Sequence, residues 1–374
     1  MANYSISRLW KNEIGELINS KIPNFDNNTL NIDKWIDFKP LLDKSIRAGR
    51  LFTKEITSTY TILSSNCYYY GGVLSSDGDI HMVPYSADCR GQKISAGGTV
   101  STYSLIYTTS QAYSGGVLAP NGDIHFVPYM ARVGQKVNSS GVVSTYSLIY
   151  TSGYYQGGVL APNGDVHFIP YSATVGQKVS MTGVVSTYNL AVGFSGYPYC
   201  GGVLSPLGEI HFVPCYGALT GKKININGTV STYSLLYTSN SEYIYRGGTL
   251  DSNGDIHFIP WRAPIGQKVS LNGTVSTYSL IHTKLDAYTG GVLAPNGDLH
   301  FIPDKADVGQ KISANGVVST YNIKTSLFGY KGGVLLPNGD IHCFGQDRGM
   351  VIHCNSALPW DIGVCCSPFF NNKF

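Results

Sequence analysis

The sequence predicts an all-β fold: a seven-bladed β-propeller of four-stranded antiparallel blades, with an N-terminal strand closing the last blade and a small helical segment in front. Three observations carry that expectation. A stretch typified by Tyr155-Gln156-Gly157-Gly158-Val159-Leu160-Ala161-Pro162-Asn163-Gly164-Asp165-Val166-His167-Phe168-Ile169-Pro170 occurs seven times, its glycine pair starting at 71, 115, 157, 201, 247, 290 and 332. The steps of 44, 42, 44, 46, 43 and 42 residues mark one repeating supersecondary unit. Each unit holds enough strand-like segments for one blade, and the two ends of the chain are complementary.

Residues 1–55 do not repeat. Leu9, Trp10 and Ile14, then Trp35 and Ile36, belong to two apolar sets at helical spacing, separated by the turn-rich Pro23-Asn24-Phe25-Asp26. Two readings stay open for this segment: a helical cap on the repeats, or a mounting and oligomerisation segment that docks on a larger assembly. Residues 56–355 form the propeller. In one full unit, Gly157–Leu160 reads as a strand and Asn163-Gly164 as a two-residue hairpin. Asp165–Pro170, Gly176–Ser180 and the β-branched Val184–Leu190 follow as second, third and fourth strands.

The ends fix closure. Ser58-Thr59-Tyr60 matches the fourth-strand Ser-Thr-Tyr at 101, 144, 186, 231, 276 and 319 but stands before the first glycine pair. The last unit has no such strand after it. A ring in which about Thr57–Leu63 completes the seventh blade leaves no free sheet edge. The tail, 356–374, ends in Phe369-Phe370 and is expected to dock on the ring or on the N-terminal segment.

The order of motifs resembles propeller repeats of the YVTN and NHL kind over residues 57–355. It is also similar to the Gly-Gly-Val-Leu-Ala-Pro-Asn-Gly repeats of proteins from tailed phages and large DNA viruses. The tyrosine and tryptophan spacing of kelch repeats is absent, as is the Trp-Asp ending of WD40 repeats. The resemblance implies that Gly-Gly-Val-Leu is the innermost strand and Val-Ser-Thr-Tyr the outermost.

Composition bounds the function. With 43% hydrophobic and 13% charged residues the chain has ample core, and a net charge of +3 argues against a nucleic-acid binder. No apolar run is long enough to span a bilayer, and the N-terminus lacks a signal peptide, so neither membrane insertion nor secretion is expected. The eight cysteines show no CxxC pairing and read as free thiols. Cys200 and Cys215 stand apart: if Leu207-Gly208 were a two-residue turn, residues summing to 415 would face each other. A cross-strand contact, bonded or not, is then open.

Seven histidines recur in the second strand, His81, His125, His167, His211, His257, His300 and His342, each two residues after an acid. That spacing puts both side chains on one strand face. A ring of metal ligands is conceivable, but a group present in every blade more often satisfies a need every blade has, so structural hydrogen bonding is the expectation and no metal or cofactor is assigned. Six lysines at equivalent positions, Lys93, Lys136, Lys178, Lys223, Lys268 and Lys311, are expected to solvate the ring.

Function is therefore sought where the repeats differ. The loops entering each innermost strand carry Tyr154, Phe194, Tyr197, Tyr243 and Phe328 among small polar residues, and the position after the proline varies (Tyr85, Tyr129, Tyr171, Cys215, Trp261, Asp304, Gly345), with Trp261-Arg262 the sharpest departure. Aromatic faces beside hydrogen-bonding groups suit a sugar ring or a protein partner. One-off acids (Asp88, Asp251, Asp286, Asp304, Asp307) are scattered, and no nucleophile elbow or phosphate loop is present, so no enzyme is expected. The expected function is a non-enzymatic recognition or structural module: a virion fibre, decoration or host-attachment protein that binds glycan and mounts on other virion proteins, possible as a homo-oligomer. The alternative is a cytoplasmic protein–protein scaffold.

Overall fold

A computed structural model describes residues 56–63, 67–86, 90–95, 98–190, 196–323, 329–345 and 348–354. Its regular elements are 28 strands in seven four-stranded sheets. Among the described residues there is no helix. The helical N-terminal segment expected over 1–55, with Leu9, Trp10, Ile14, Trp35 and Ile36, lies outside the described residues, as does the tail. The fold class is corrected accordingly, to an all-β propeller with no helical part assigned. Apolar spacing supplies a helix with a face but not with the surface that stabilises it.

The blade at 155–189 shows the plan. β10 (Tyr155–Leu160), β11 (Val166–Pro170), β12 (Val175–Val179) and β13 (Val185–Asn189) pair in sequence order as an antiparallel meander. β11 is buried throughout because blades cover both its faces, whereas β13 alternates with solvent. The β10–β11 turn differs from expectation. Gly164 N donates to Ala161 O at 2.9 Å, Ala161 N donates to Asp165 O at 2.8 Å, and Gly164 has φ +84°. The loop is thus three residues, Pro162-Asn163-Gly164, a turn closed by a left-handed glycine. Proline sets the entry to that turn and Asn163 Oδ1 accepts from Asp165 N at 3.1 Å.

The innermost strands β2 (Tyr69–Leu74), β6 (Tyr113–Leu118), β10, β14 (Tyr197–Leu204), β18 (Tyr245–Leu250), β22 (Tyr288–Leu293) and β26 (Tyr330–Leu335) touch one another in a closed circle. The second glycine of each pair permits this. A Cβ on Gly158 would stand 2.7 Å from Val117 Cγ2 and 2.9 Å from Val127 Cγ2 of the preceding blade. Closure is by β1 (Ile56–Thr61), which pairs with β28 (Arg348–His353) beyond β27 (Ile341–Gly345) and β26. Ser58 Oγ and His353 Nε2 share a 2.8 Å hydrogen bond across that seam.

A second joint was not foreseen. The glutamine of each Gly-Gln-Lys strand is fully buried and reaches back to the preceding blade: Gln135 Oε1 accepts from Ile106 N at 3.0 Å and Tyr107 N at 2.8 Å. Gln92, Gln177, Gln267 and Gln310 bond the equivalent backbone. In the fourth blade Lys222 takes the glutamine's place and donates to Leu190 O at 2.6 Å. These contacts give loop amides the partners that burial removes.

Two outcomes follow for stability. Gly158→Ala should lower stability by about 1–3 kcal/mol through overpacking between blades, read from denaturant midpoints at constant m. Gln135→Met, which keeps the shape but strands two N–H groups, should cost about 2 kcal/mol; an unchanged midpoint would show that the glutamine is not a joint.

Candidate functional site

At the glycine pair the register between β10 and β11 slips: Tyr155 opposes Pro170, but Gly158 opposes Phe168, so a bulge holds Gln156 and Gly157. Gly157 has φ +73°, a conformation glycine adopts without strain. The same slip occurs in every blade. A bulge re-aims a side chain, and here the residue just before the glycines contributes to a cavity of about 220 Å³ at one end of the ring.

The cavity is walled by Tyr70, Ser114, Gln156, Cys200 and Arg246 from five consecutive innermost strands. Above them stand the residues after the prolines, Tyr85, Tyr129, Tyr171, Cys215 and Trp261, with Tyr243. The tyrosines form a connected aromatic wall. Tyr70 stacks on Tyr85 at 4.1 Å, Tyr85 meets Tyr129 at 5.7 Å, and Tyr129 meets Tyr171 at 5.7 Å between ring centroids. Tyr171 donates to the Tyr243 hydroxyl at 3.4 Å, and Tyr243 meets Trp261 edge-on at 5.5 Å.

Polar groups on this wall lack partners. Ser114 Oγ and Trp261 Nε1 are buried without a hydrogen bond, and the Arg246 guanidinium lies over the rings of Trp261 at 4.9 Å and Tyr70 at 5.5 Å. Burial opposes the charge of Arg246, but neighbouring Tyr70 and Asp304 outweigh it and hold its pKa above the ordinary value. Further round the ring, Lys331 donates to both Asp304 carboxylate oxygens at 2.6 Å, and Thr289 Oγ1 donates to Tyr330 O at 2.8 Å.

Of the residues singled out in the sequence, Tyr243 and Trp261 line the cavity. Tyr154 stacks behind Tyr129 at 5.0 Å and Tyr197 behind Tyr171 at 4.6 Å. Arg262 is turned aside, its Nε donating to Asp286 Oδ1 at 2.5 Å. Phe194 and Phe328 lie outside the described residues. Gly345 opposes Tyr330 as the prolines oppose their tyrosines, so it fills the proline position rather than the one after it. The residue before the glycines was missed, although the signal was present. Between an unvarying tyrosine and an unvarying glycine pair it is Tyr70, Ser114, Gln156, Cys200, Arg246, Thr289 and Lys331, different in all seven copies.

Cys200 and Cys215 both border the cavity as free, buried thiols. The three-residue turn makes opposed residues in this hairpin sum to 414, as in Gly202 with Phe212, and the bulge shifts the pairing again to Tyr199 with Pro214. The two cysteines are therefore not directly opposed, though they interact and burial pushes the Cys215 thiol pKa up. The expectation of free thiols fails elsewhere, since Cys67 is disulfide-bonded.

The repeated histidines sit away from the cavity. In six blades the histidine Nδ1 lies 3.0–3.3 Å from the fourth-strand tyrosine hydroxyl of the same blade, as in His125 with Tyr146 and His167 with Tyr188. In the closing blade His342 lies tilted against Tyr60 at 5.5 Å, and neither His342 Nδ1 nor the Tyr60 hydroxyl has a hydrogen-bond partner. The lysines do more than solvate: Lys93, Lys136, Lys178, Lys223, Lys268 and Lys311 each pair with the acid of their blade at 2.5–2.8 Å. Among the described residues no group of three or more His, Cys, Asp or Glu side chains could hold a metal ion, and no helix is long and apolar enough to cross a membrane.

Ring and cavity together define a propeller with a cavity walled by five of its innermost strands. No family model and no curated protein matches the sequence. Solved structures do match. Virginiamycin B lyase from Staphylococcus aureus superposes with a TM-score of 0.71 at 16% identity, covering 80% of this chain and 99% of that one. A streptogramin B lyase gives 0.71 at 17% identity over 79% and 97%. The WD40 β-propeller domain of Doa1 gives 0.63 at 16% over 80% and 97%. Likeness at this identity shows the fold alone, a fold used by recognition domains and by enzymes. It nonetheless corrects the expectation that the chain is no enzyme: a lyase is built on this frame, so the lack of recognisable motifs in the sequence does not exclude catalysis.

The buried histidines set an acid limit. Desolvation pushes His125, His167 and His342 down to about 4 and His300 to about 3. Unfolded histidine titrates near 6.5, so stability is full above that pH and falls as the unfolded chain takes up protons the native state refuses, about 3 kcal/mol per histidine by pH 4. Melting temperature should drop steeply from pH 6.5 to 4. A flat profile would mean that these rings ionise in the folded state.

Proposed function

We propose that the protein is a recognition module whose ligand enters the axial cavity, and that this ligand is a sugar. The observation that carries the reading is the wall itself, in which five consecutive innermost strands each present a different side chain while hydrogen-bonding groups of Ser114 and Trp261 stay unpartnered. A site lined by aromatic faces with a few convergent polar groups is what small-ligand recognition uses. Tyr85, Tyr129, Tyr171 and Trp261 offer ring faces for the C–H surface of a pyranose, and the unpaired donors offer partners for its hydroxyls. The likeness of the repeats to those of phage and large-virus proteins supports placing the module on a virion, as a fibre, decoration or host-attachment component. Residues 1–55 would then mount it on other virion proteins.

A protein–protein scaffold in the cytoplasm is the second reading. Its support is a belt of apolar side chains after the outermost strands, Ile106, Ile149, Leu236 and Ile281, each more than 60% exposed.

A glycan array with the native chain and Trp261→Ala tests the first reading. Defined glycans should bind the native protein and lose at least about tenfold in affinity with the variant, as for removal of an aromatic hot spot. A blank array would sink the sugar, and absence of the protein from purified particles would sink the virion placement.

A further inference from the structure

Resting on that axial reading, we infer that the cavity recognises an acidic ligand, a sugar whose carboxylate is received by Arg246. Charge on the innermost strands is otherwise matched within the protein. Lys331, at the equivalent position two blades on, is neutralised by Asp304 through two 2.6 Å contacts. Arg262 and Lys305 share the carboxylate of Asp286. Arg246 has no hydrogen bond and no ion pair among the described residues; the faces of Trp261 and Tyr70 lie against it, and Asp304, which acts on it from beyond ion-pair distance, is bonded to Lys331.

That arrangement positions a cation without satisfying it. Two aromatic faces hold a guanidinium in a fixed orientation while its five N–H donors stay open, and a planar fork of donors is the geometry that takes a carboxylate in two parallel bonds. The surroundings point the same way. Arg246, Lys331 and Asp304 leave the axis with one uncompensated positive charge. Ser114 Oγ, 1% exposed, and Trp261 Nε1 are further hydrogen-bonding groups without partners on the same wall. A neutral ligand would leave the guanidinium half-buried and unmatched, whereas an anion completes it. The volume, about 220 Å³, lies below the roughly 300–1,000 Å³ of sites for drug-sized ligands, which fits one acidic monosaccharide unit.

The probes are glucuronic acid, its methyl ester, N-acetylneuraminic acid, acetate and benzoate, titrated calorimetrically against the full chain and Arg246→Gln, with melting temperature confirming that the variant is folded. An acid should bind the native protein about 10- to 100-fold more tightly than the ester, the worth of charge-assisted bonding. Arg246→Gln should abolish that preference, bringing acid and ester to the same affinity. Equal affinity for acid and ester, or an acid preference that survives in Arg246→Gln, overturns the inference while leaving a sugar site standing. Binding of acetate and benzoate through Arg246 without any sugar binding would uphold the carboxylate and overturn the sugar. No binding by any probe overturns both.

Discussion

Seven sheets can meet at one axis only if their innermost strands approach more closely than side chains allow, and the glycine pair meets that constraint in two ways. Its second member leaves the space into which valine, isoleucine or threonine methyls of the preceding blade pack, or the Phe344 ring at Gly72; Gly248 against Val203 at 2.8 Å and Gly291 against Thr249 at 2.6 Å repeat the arrangement seen at Gly158. Its first member stands in the bulge, with a positive φ at Gly71, Gly115, Gly157, Gly201 and Gly247. The close approach and the bulge are thus one device, and they decide both where the ring closes and which side chain is delivered to its axis. A methyl group at either position would act on the blade interface and on the cavity together.

The outer parts of each blade serve a different need. Strands crossing a closed ring bury polar backbone at loops that have no neighbour in their own sheet. The glutamine joints answer this by linking blade to blade, while the histidine–tyrosine pairs tie second strand to fourth. In the closing blade the joint is imperfect: Tyr60 and His342 arrive from opposite ends of the chain and stand without their bond. The lysine–acid pairs are half-exposed and add little stability individually. Their regularity keeps the outer turns neutral, which leaves Arg246 as a cation with no ion-pair partner among the described residues.

The ring was legible in the sequence because a repeat converts a weak strand signal into seven concordant ones, and because Ser58-Thr59-Tyr60 is displaced by a whole chain length from the blade it completes. The turn differs from the sequence expectation by one residue: Asn-Gly is the mark of a two-residue hairpin, but here the glycine closes a three-residue loop, with or without a proline ahead of it, as Ser76-Asp77-Gly78 shows. That single residue moved Cys200 and Cys215 out of direct opposition. The site was half legible. Tyr243 and Trp261 stood out as departures among the loops, yet Arg246 and Ser114 did not, since alternation along a strand would place them on the face opposite the buried tyrosine with no hint of what that face meets.

What the sequence by itself determined is the architecture: the number of blades, the strand order, the closing strand and the positions that must be glycine. These follow from local periodicity and from steric limits, both of which are written residue by residue. Only the tertiary structure decided which variable residues act together. Tyr70 and Trp261 are nearly two hundred residues apart, and they hold Arg246 between them because ring closure brings the first blade and the fifth to a common axis. Proximity of that kind comes from curvature summed over several blades, and no single repeat encodes it.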